Sequence, residues 1–277
     1  MRVTALSLAG LNLCGLKEYR LSLVGLLKNE QPELAVLPAL TGPALAFGSG
    51  ALPHTAGLRE AFTACMEDEG PFRQAYLELH SSVARELKLY LAAGTIFEKG
   101  GGRVYHIAYI FDPEGSICGR QRQTHLTRFQ RELGLSRGEE LDLFQIGPYK
   151  AGLIIDNDAR HPETGRILAL SGANLVLYCG ALQGELNCWA QAAGMWSQVQ
   201  QNQFWAVEAQ LNAVLGGSLF GAQCAIIGPC EITPGSSGYL NRGAPGKEAV
   251  TAELDEERRK KLTSAYPILK LLNPSAY

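Results

Sequence analysis

Short apolar runs alternate with amphipathic stretches along most of this chain, and that alternation constrains the fold more than any single residue does. Glu33-Leu34-Ala35-Val36-Leu37-Pro38, Ala173 to Tyr178, Trp205 to Leu211 and Gln223 to Ile227 are too short for buried helices. Each ends at or near Pro, Gly or Asn, so each reads as a strand. Helical spacing covers roughly Lys17 to Lys28, Pro71 to Leu87 and Trp189 to Gln201 between them. Val104 to Phe111 and Ser116 to Thr124 flank Asp112-Pro113-Glu114-Gly115, a turn sequence that predicts a hairpin. Strands interleaved with helices, plus one hairpin, call for a single α/β domain with strands of mixed direction. No repeat, low-complexity segment or long linker divides it.

At 277 residues, with 46% hydrophobic and 19% charged side chains, the chain can bury a substantial core. Its net charge of −2 gives no electrostatic case for nucleic acid or an anionic membrane as a partner. The one dense charge run, Asp255 to Lys261, places acids before bases at helical pairing distance and reads as a solvated helix face. No apolar run reaches the ~18 residues of a membrane span. Met1 to Leu8 reads as a strand rather than a signal peptide. Seven cysteines without a Cys-x-x-Cys pair fit free thiols in a reducing cytoplasm, not a disulfide framework. Five histidines lack metal-ligand spacing, so neither a metal nor another cofactor is expected.

The segment with most chemical content is Gly152-Leu153-Ile154-Ile155-Asp156-Asn157-Asp158-Ala159-Arg160-His161-Pro162-Glu163. An apolar strand runs into acids too polar to continue it, and Pro162 then sits where a helix favours its first residue. Strand, tight turn and helix start present Asp156 at the C-terminal edge of a sheet, where α/β proteins place their chemistry. The Asp-x-Asp alone resembles the haloacid dehalogenase-like phosphatases, but the Gly-Asp-x-x-x-Asp that such enzymes also use is missing downstream.

A broader resemblance, to the nitrilase superfamily of carbon–nitrogen hydrolases, runs over nearly the whole chain. Ala35 to Leu40 resembles that family's strand ending in Pro-Glu. Phe111 to Gly115, with Gly119-Arg120-Gln121-Arg122-Gln123-Thr124-His125-Leu126, resembles its hairpin followed by Arg-Lys-x-His-Leu. Gly152 to Glu163 resembles its nucleophile elbow, Ser171-Gly172-Ala173 its following Gly-Ala, and Tyr266 to Tyr277 its C-terminal tail. The resemblance implies a four-layer α-β-β-α sandwich, as one domain over 1–265 with a tail over 266–277, and a homodimer to which the tail contributes.

Residue by residue, the family's glutamate base falls on Ala39, its lysine on Gln123 and its cysteine nucleophile on Asp156. A further glutamate falls on Arg131 or, one residue along, on Glu132. Hydrolysis in that family needs a thiolate beside a base and a fixed cation facing the developing charge. None of those groups stands at the matching positions. The resemblance therefore implies a catalytically inactive homologue that binds a small molecule in the former active-site pocket, through Asp156, Asn157, Gln123, Arg131, Glu132 and Cys179. The alternatives are an amidase-like hydrolase with an altered set, such as Asp156 with Cys179, and a structural subunit partnering an active relative. His125, Arg160 and Glu163 match retained family residues and are expected to hold the elbow together. Trp189, Trp196 and Trp205 are expected in the core or a subunit interface. An open polar pocket at Asp156 would support binding; a pocket filled by side chains would support the structural role.

Overall fold

The computed structural model describes residues 1–53, 57–67, 71–244, 246–273 and 275. Its first sheet contains β1 (Arg2–Leu6), β2 (Leu34–Val36), β3 (Tyr90–Gly100), β4 (Arg103–Phe111), β5 (Ile117–Arg122) and the short β6 (Leu135–Ser136). The second contains β7 (Leu143–Ile146), β8 (Tyr149–Ile155), β9 (Leu175–Gly180) and β10 (Trp205–Gln210). A separate hairpin, β11 (Asn212–Leu215) and β12 (Ser218–Gly221), follows, before β13 (Ala225–Ile227) and β14 (Tyr239–Arg242) return to the second sheet. Finally β15 (Ala249–Glu253) pairs antiparallel with β1, so segments from both ends of the chain close the first sheet. Each sheet mixes parallel and antiparallel neighbours, as the interleaved pattern predicts.

Period-two alternation along the central strands builds the layers. Leu153, Ile155, Leu175, Leu177 and Val207 share one apolar core with Val3, Ala5 and Ile107 of the first sheet. The intervening Ile154, Val176 and Ala206 face the opposite way, into a second core with Leu168, Ala169, Met195 and Val199. Those four belong to α6 (Pro162–Leu170) and α8 (Met195–Asn202), numbering helices along the chain after α1 (Leu16–Glu30), α2 (Thr41–Gly48), α3 (Leu58–Glu67), α4 (Pro71–Leu87), α5 (Arg128–Glu132) and α7 (Cys188–Ala192). Tyr19 and Leu23 of α1, with Leu79 and Val83 of α4, cover the outer face of the first sheet. The four layers, α-β-β-α, are those the resemblance implies.

Two local devices position the site. Asp112 Oδ1 accepts the backbone N–H groups of Glu114 and Ser116 and so closes the predicted hairpin at the predicted turn. A bulge interrupts the β3–β4 register between Ala92 and Thr95, with Gly94 at φ +74°. A Cβ at Gly94 would stand 2.4 Å from the Pro38 carbonyl oxygen, so only glycine lets the two segments approach. The helix predicted over 189–201 is two helices, α7 and α8, because Gly194 leaves helical geometry at φ −91°, ψ −115°. Glu256–Ala265 is the predicted charged helix. Of the tail, residues 274, 276 and 277 lie outside the described residues. Among the described residues no helix is long and apolar enough to cross a membrane.

Candidate functional site

Asp156 follows the last residue of β8 and opens a 3₁₀ turn, Asp156–Arg160, before α6. Its φ of +47° is left-handed, a conformation that Asp tolerates better than most side chains. The turn is fastened from beneath by Asp158, fully buried, whose carboxylate accepts the N–H groups of Thr124, His125 and Ile155 and the Thr124 hydroxyl. Asp156 lies in a cavity of about 370 Å³. Leu40, Leu58, Phe62, Phe129 and Phe220 give it apolar walls; Asn157, Gln130, Arg160 and Tyr178 add polar atoms.

A continuous hydrogen-bonded chain runs to Asp156 from the segment that carries Ala39. The Leu40 N–H donates to Thr95 Oγ1, which the bulge at Gly94 turns inward, and Thr95 Oγ1 meets His106 Nε2. His106 Nδ1 lies 2.7 Å from Gln123 Oε1. Gln123 and Gln130 then exchange two amide hydrogen bonds, of 3.1 and 3.0 Å. Gln130 Nε2 finally donates to Asp156 Oδ2 at 3.1 Å. Gln123 Oε1 can only accept, so the His106 proton sits on Nδ1, and Nε2 is left to accept the Thr95 hydroxyl hydrogen. Burial holds His106 neutral, its pKa pushed down to about 4.

The carboxyl of Asp156 is pushed up to about 7, first by burial and then by the neighbouring charge of Asp158. Gln130 and Arg160 oppose the shift without cancelling it. A second buried carboxyl, Glu208, is also pushed up to about 7 by burial, although Gln191 and Gln210 donate to it.

The fold thus sets Asp156 and Asn157 in the cavity wall, with Gln123 fully buried behind Gln130 and off that wall, and Ala39 fully buried next to cavity-lining Leu40. It does not bring in Arg131, Glu132 or Cys179. Arg131 lines a separate cavity with Arg103 and Arg137. Glu132 pairs with Arg128 at 2.7 Å and faces Arg59. Cys179 is fully buried in the intersheet core, its thiol pushed up to about 12 by burial. Arg160 points to the cavity instead of locking the elbow; among the described residues it has no ion pair. Trp205 is core, whereas Trp189 is exposed.

Sequence reasoning missed Gln130 and Tyr178, whose hydroxyl donates to the Asp156 carbonyl at 3.2 Å. A signal for Gln130 was present: Thr127-x-x-Gln130 is a capping box, and the side chains of Thr127 and Gln130 do cap each other's backbone. His125, His161 and Glu163 form a separate cluster beside the elbow, with potential metal-ligand atoms within 4.8 Å of one another.

Comparison with known proteins agrees with this architecture. Residues 32–234 match the carbon–nitrogen hydrolase family. A hydrolase of Schizosaccharomyces pombe is 31% identical over 137 residues, 47% of this chain and 41% of the relative. The human omega-amidase NIT2 is 33% identical over 109 residues, 36% of this chain and 40% of the relative. These alignments span about two fifths of the relatives' own length. Saccharomyces cerevisiae Nit3, of branch 10 of the nitrilase superfamily, superposes over 100% of this chain and 97% of its own with a TM-score of 0.75 at 21% identity. A carbon–nitrogen hydrolase of Helicobacter pylori G27 does so over 100% and 95%, at 0.76 and 21%. With the fold and the matched residues in agreement, the chain belongs to the carbon–nitrogen hydrolase family of the nitrilase superfamily.

Proposed function

We propose that this chain has lost the family's hydrolysis and binds a small donor-rich molecule, an amine or amidine, in the cavity at Asp156. The observation that carries the reading is the Gln123–Gln130–Asp156 chain. By resemblance, Gln123 stands where the family keeps its lysine. Here it is a neutral amide whose oxygen and nitrogen are committed to His106, His125 and Gln130, so it offers no cation to a developing negative charge. Ala39, at the position of the base, is a buried methyl. Asp156, at the position of the nucleophile, presents a carboxylate in apolar surroundings, which a cationic or donor-rich group stabilises. The open cavity supports binding over a purely structural role. The homodimer implied by the resemblance is part of the same proposal; exposed Ile167 and Leu170 on α6 supply apolar surface, and sedimentation at micromolar concentration tests it.

A second reading keeps an enzyme, because a carboxyl near 7 is suited to general-base work. Cys179 is no part of that reading: it is buried away from the cavity and its thiol is held protonated.

Calorimetry with a matched amine and carboxylic acid of equal size tests the binding proposal. The amine should bind better to the wild type and lose that advantage in Asp156→Asn. Equal affinity, or preference for the acid, sinks it. Turnover of simple amides, nitriles or N-carbamoyl acids that Asp156→Ala abolishes would establish the enzyme instead.

A further inference from the structure

Beside the elbow, outside the cavity, His125 meets His161 and Glu163 from the start of α6. His125 and His161 stack with ring centroids 4.0 Å apart, and Glu163 Oε1 lies 3.5 Å from His125 Nε2 and 3.7 Å from His161 Nδ1. The wide separation of the two histidines in sequence hides the cluster from any search for ligand spacing.

Proton assignment makes the arrangement informative. The Thr124 hydroxyl donates to Asp158 Oδ1 at 2.9 Å, so its oxygen is left to accept from His125 Nδ1, also at 2.9 Å. A neutral His125 therefore carries its proton on Nδ1 and turns the lone pair of Nε2 toward a carboxylate oxygen. These two acceptors face each other across a gap that a cation, either a proton or a metal ion, would fill.

We propose that His125, His161 and Glu163 form a binding site for a divalent transition-metal ion of the zinc type. Bonds of about 2.0–2.1 Å to such an ion set ligand atoms about 3.4 Å apart in a tetrahedron. The two distances to Glu163 Oε1 are already close to that edge. Imidazole and carboxylate are suited to zinc, and three protein ligands leave the fourth position to water. Behind His125, a hydroxyl and a carboxylate fix the second ring nitrogen, the kind of support that orients metal-binding imidazoles. An imidazole ligates in its ring plane, and the two rings lie 18° from parallel, so one must turn to share the ion. His161 is the one to do so: its side chain is 36% exposed, and the ion would displace the Nδ1 proton that goes with the 3.2 Å contact in which Asn157 Nδ2 donates to Nε2. The site stands apart from the proposed amine-binding role and does not depend on it.

The test is calorimetric titration of Zn²⁺ into the full chain carrying Cys14→Ser and Cys188→Ser, because those two exposed thiols would compete for the ion. One Zn²⁺ per chain should bind saturably. His161→Phe, which keeps a ring stacked on His125, and Glu163→Gln should each weaken it at least about tenfold, the lower range seen when even a supporting group of a metal site is lost. Thermal melting of both variants checks that the fold survives. Absence of saturable binding, or binding that either variant leaves within about threefold of the parent, overturns the proposal.

Discussion

Gln130 Nε2 stands 3.1 Å from Asp156 Oδ2 while the same amide exchanges two hydrogen bonds with Gln123. One side chain thus couples the strand-end carboxylate to the buried interior of the opposite sheet. Replacing it by alanine leaves Gln123 its bonds to His106 and His125 but strands one of its N–H donors in a buried place, which should destabilise the protein by about 1–3 kcal/mol in denaturant unfolding. The same change removes a donor that holds the Asp156 carboxyl down, so its titration, followed by carbon NMR, should move to higher pH. An unchanged titration would show that the contact carries no electrostatic weight.

Stability should depend on pH through Asp156 with a definite sign. Its carboxyl titrates near 7 in the fold against an ordinary value of 3.8, so between those limits the folded state holds more protons than the unfolded one. The stability this group contributes is therefore fully present below about 4 and is lost as pH rises through about 7. Asp156→Asn removes that dependence. The difference in stability between wild type and variant should fall by a few kcal/mol, to order of magnitude, from pH 4 to pH 8. Parallel unfolding curves at fixed ionic strength measure it, and a constant difference would refute it.

Two glycines with nearly the same φ should respond very differently to alanine. Gly50, at φ +72°, has open space where a Cβ would go, so the cost is conformational, about 1 kcal/mol. At Gly94, φ +74°, the added carbon meets the Pro38 oxygen at 2.4 Å and Thr41 Oγ1 at 2.5 Å. Gly94→Ala should cost about 2–3 kcal/mol or more and displace Thr95, the first side chain of the chain leading to Asp156. Melting of the two variants side by side separates strain from collision.

Thr127→Ala removes one half of the capping box and should cost about 1 kcal/mol. Because α5 is only five residues long, the loss should also reach the cavity as weaker amine affinity. Thr127→Ser should restore both quantities.

The parts of the fold legible in the sequence are those set by local pattern. Pro71–Leu87 was readable from end to end because its buried positions repeat with helical period. The hairpin followed from Asp112, and the elbow from the polar break after Ile155. By contrast α2 is buried on almost every side and carries no periodic signal. The pairing of β15 with β1 joins distant segments, and no local pattern announces it. The site divides in the same way. Asp156 and Asn157 were marked by their own segment, but Gln130 against Arg131 was a question of facing. Neighbouring residues on a helix point about 100° apart, so the entry angle of α5 sends 130 inward and 131 to another surface.

Thr95 and His106 pass their hydrogens toward Gln123, the two glutamines exchange hydrogens in both directions, and Gln130 donates onward to Asp156. This unbroken connection makes the chain a gauge. The ring nitrogens of His106 have distinct roles fixed by their partners, and His106 itself is sealed from solvent and stays neutral across the working pH range. Its nitrogen NMR frequencies therefore carry no titration of the ring itself near neutral pH and register the charge on a carboxylate several bonds away. Occupancy of the cavity becomes observable from inside the protein, on a ring that no ligand touches.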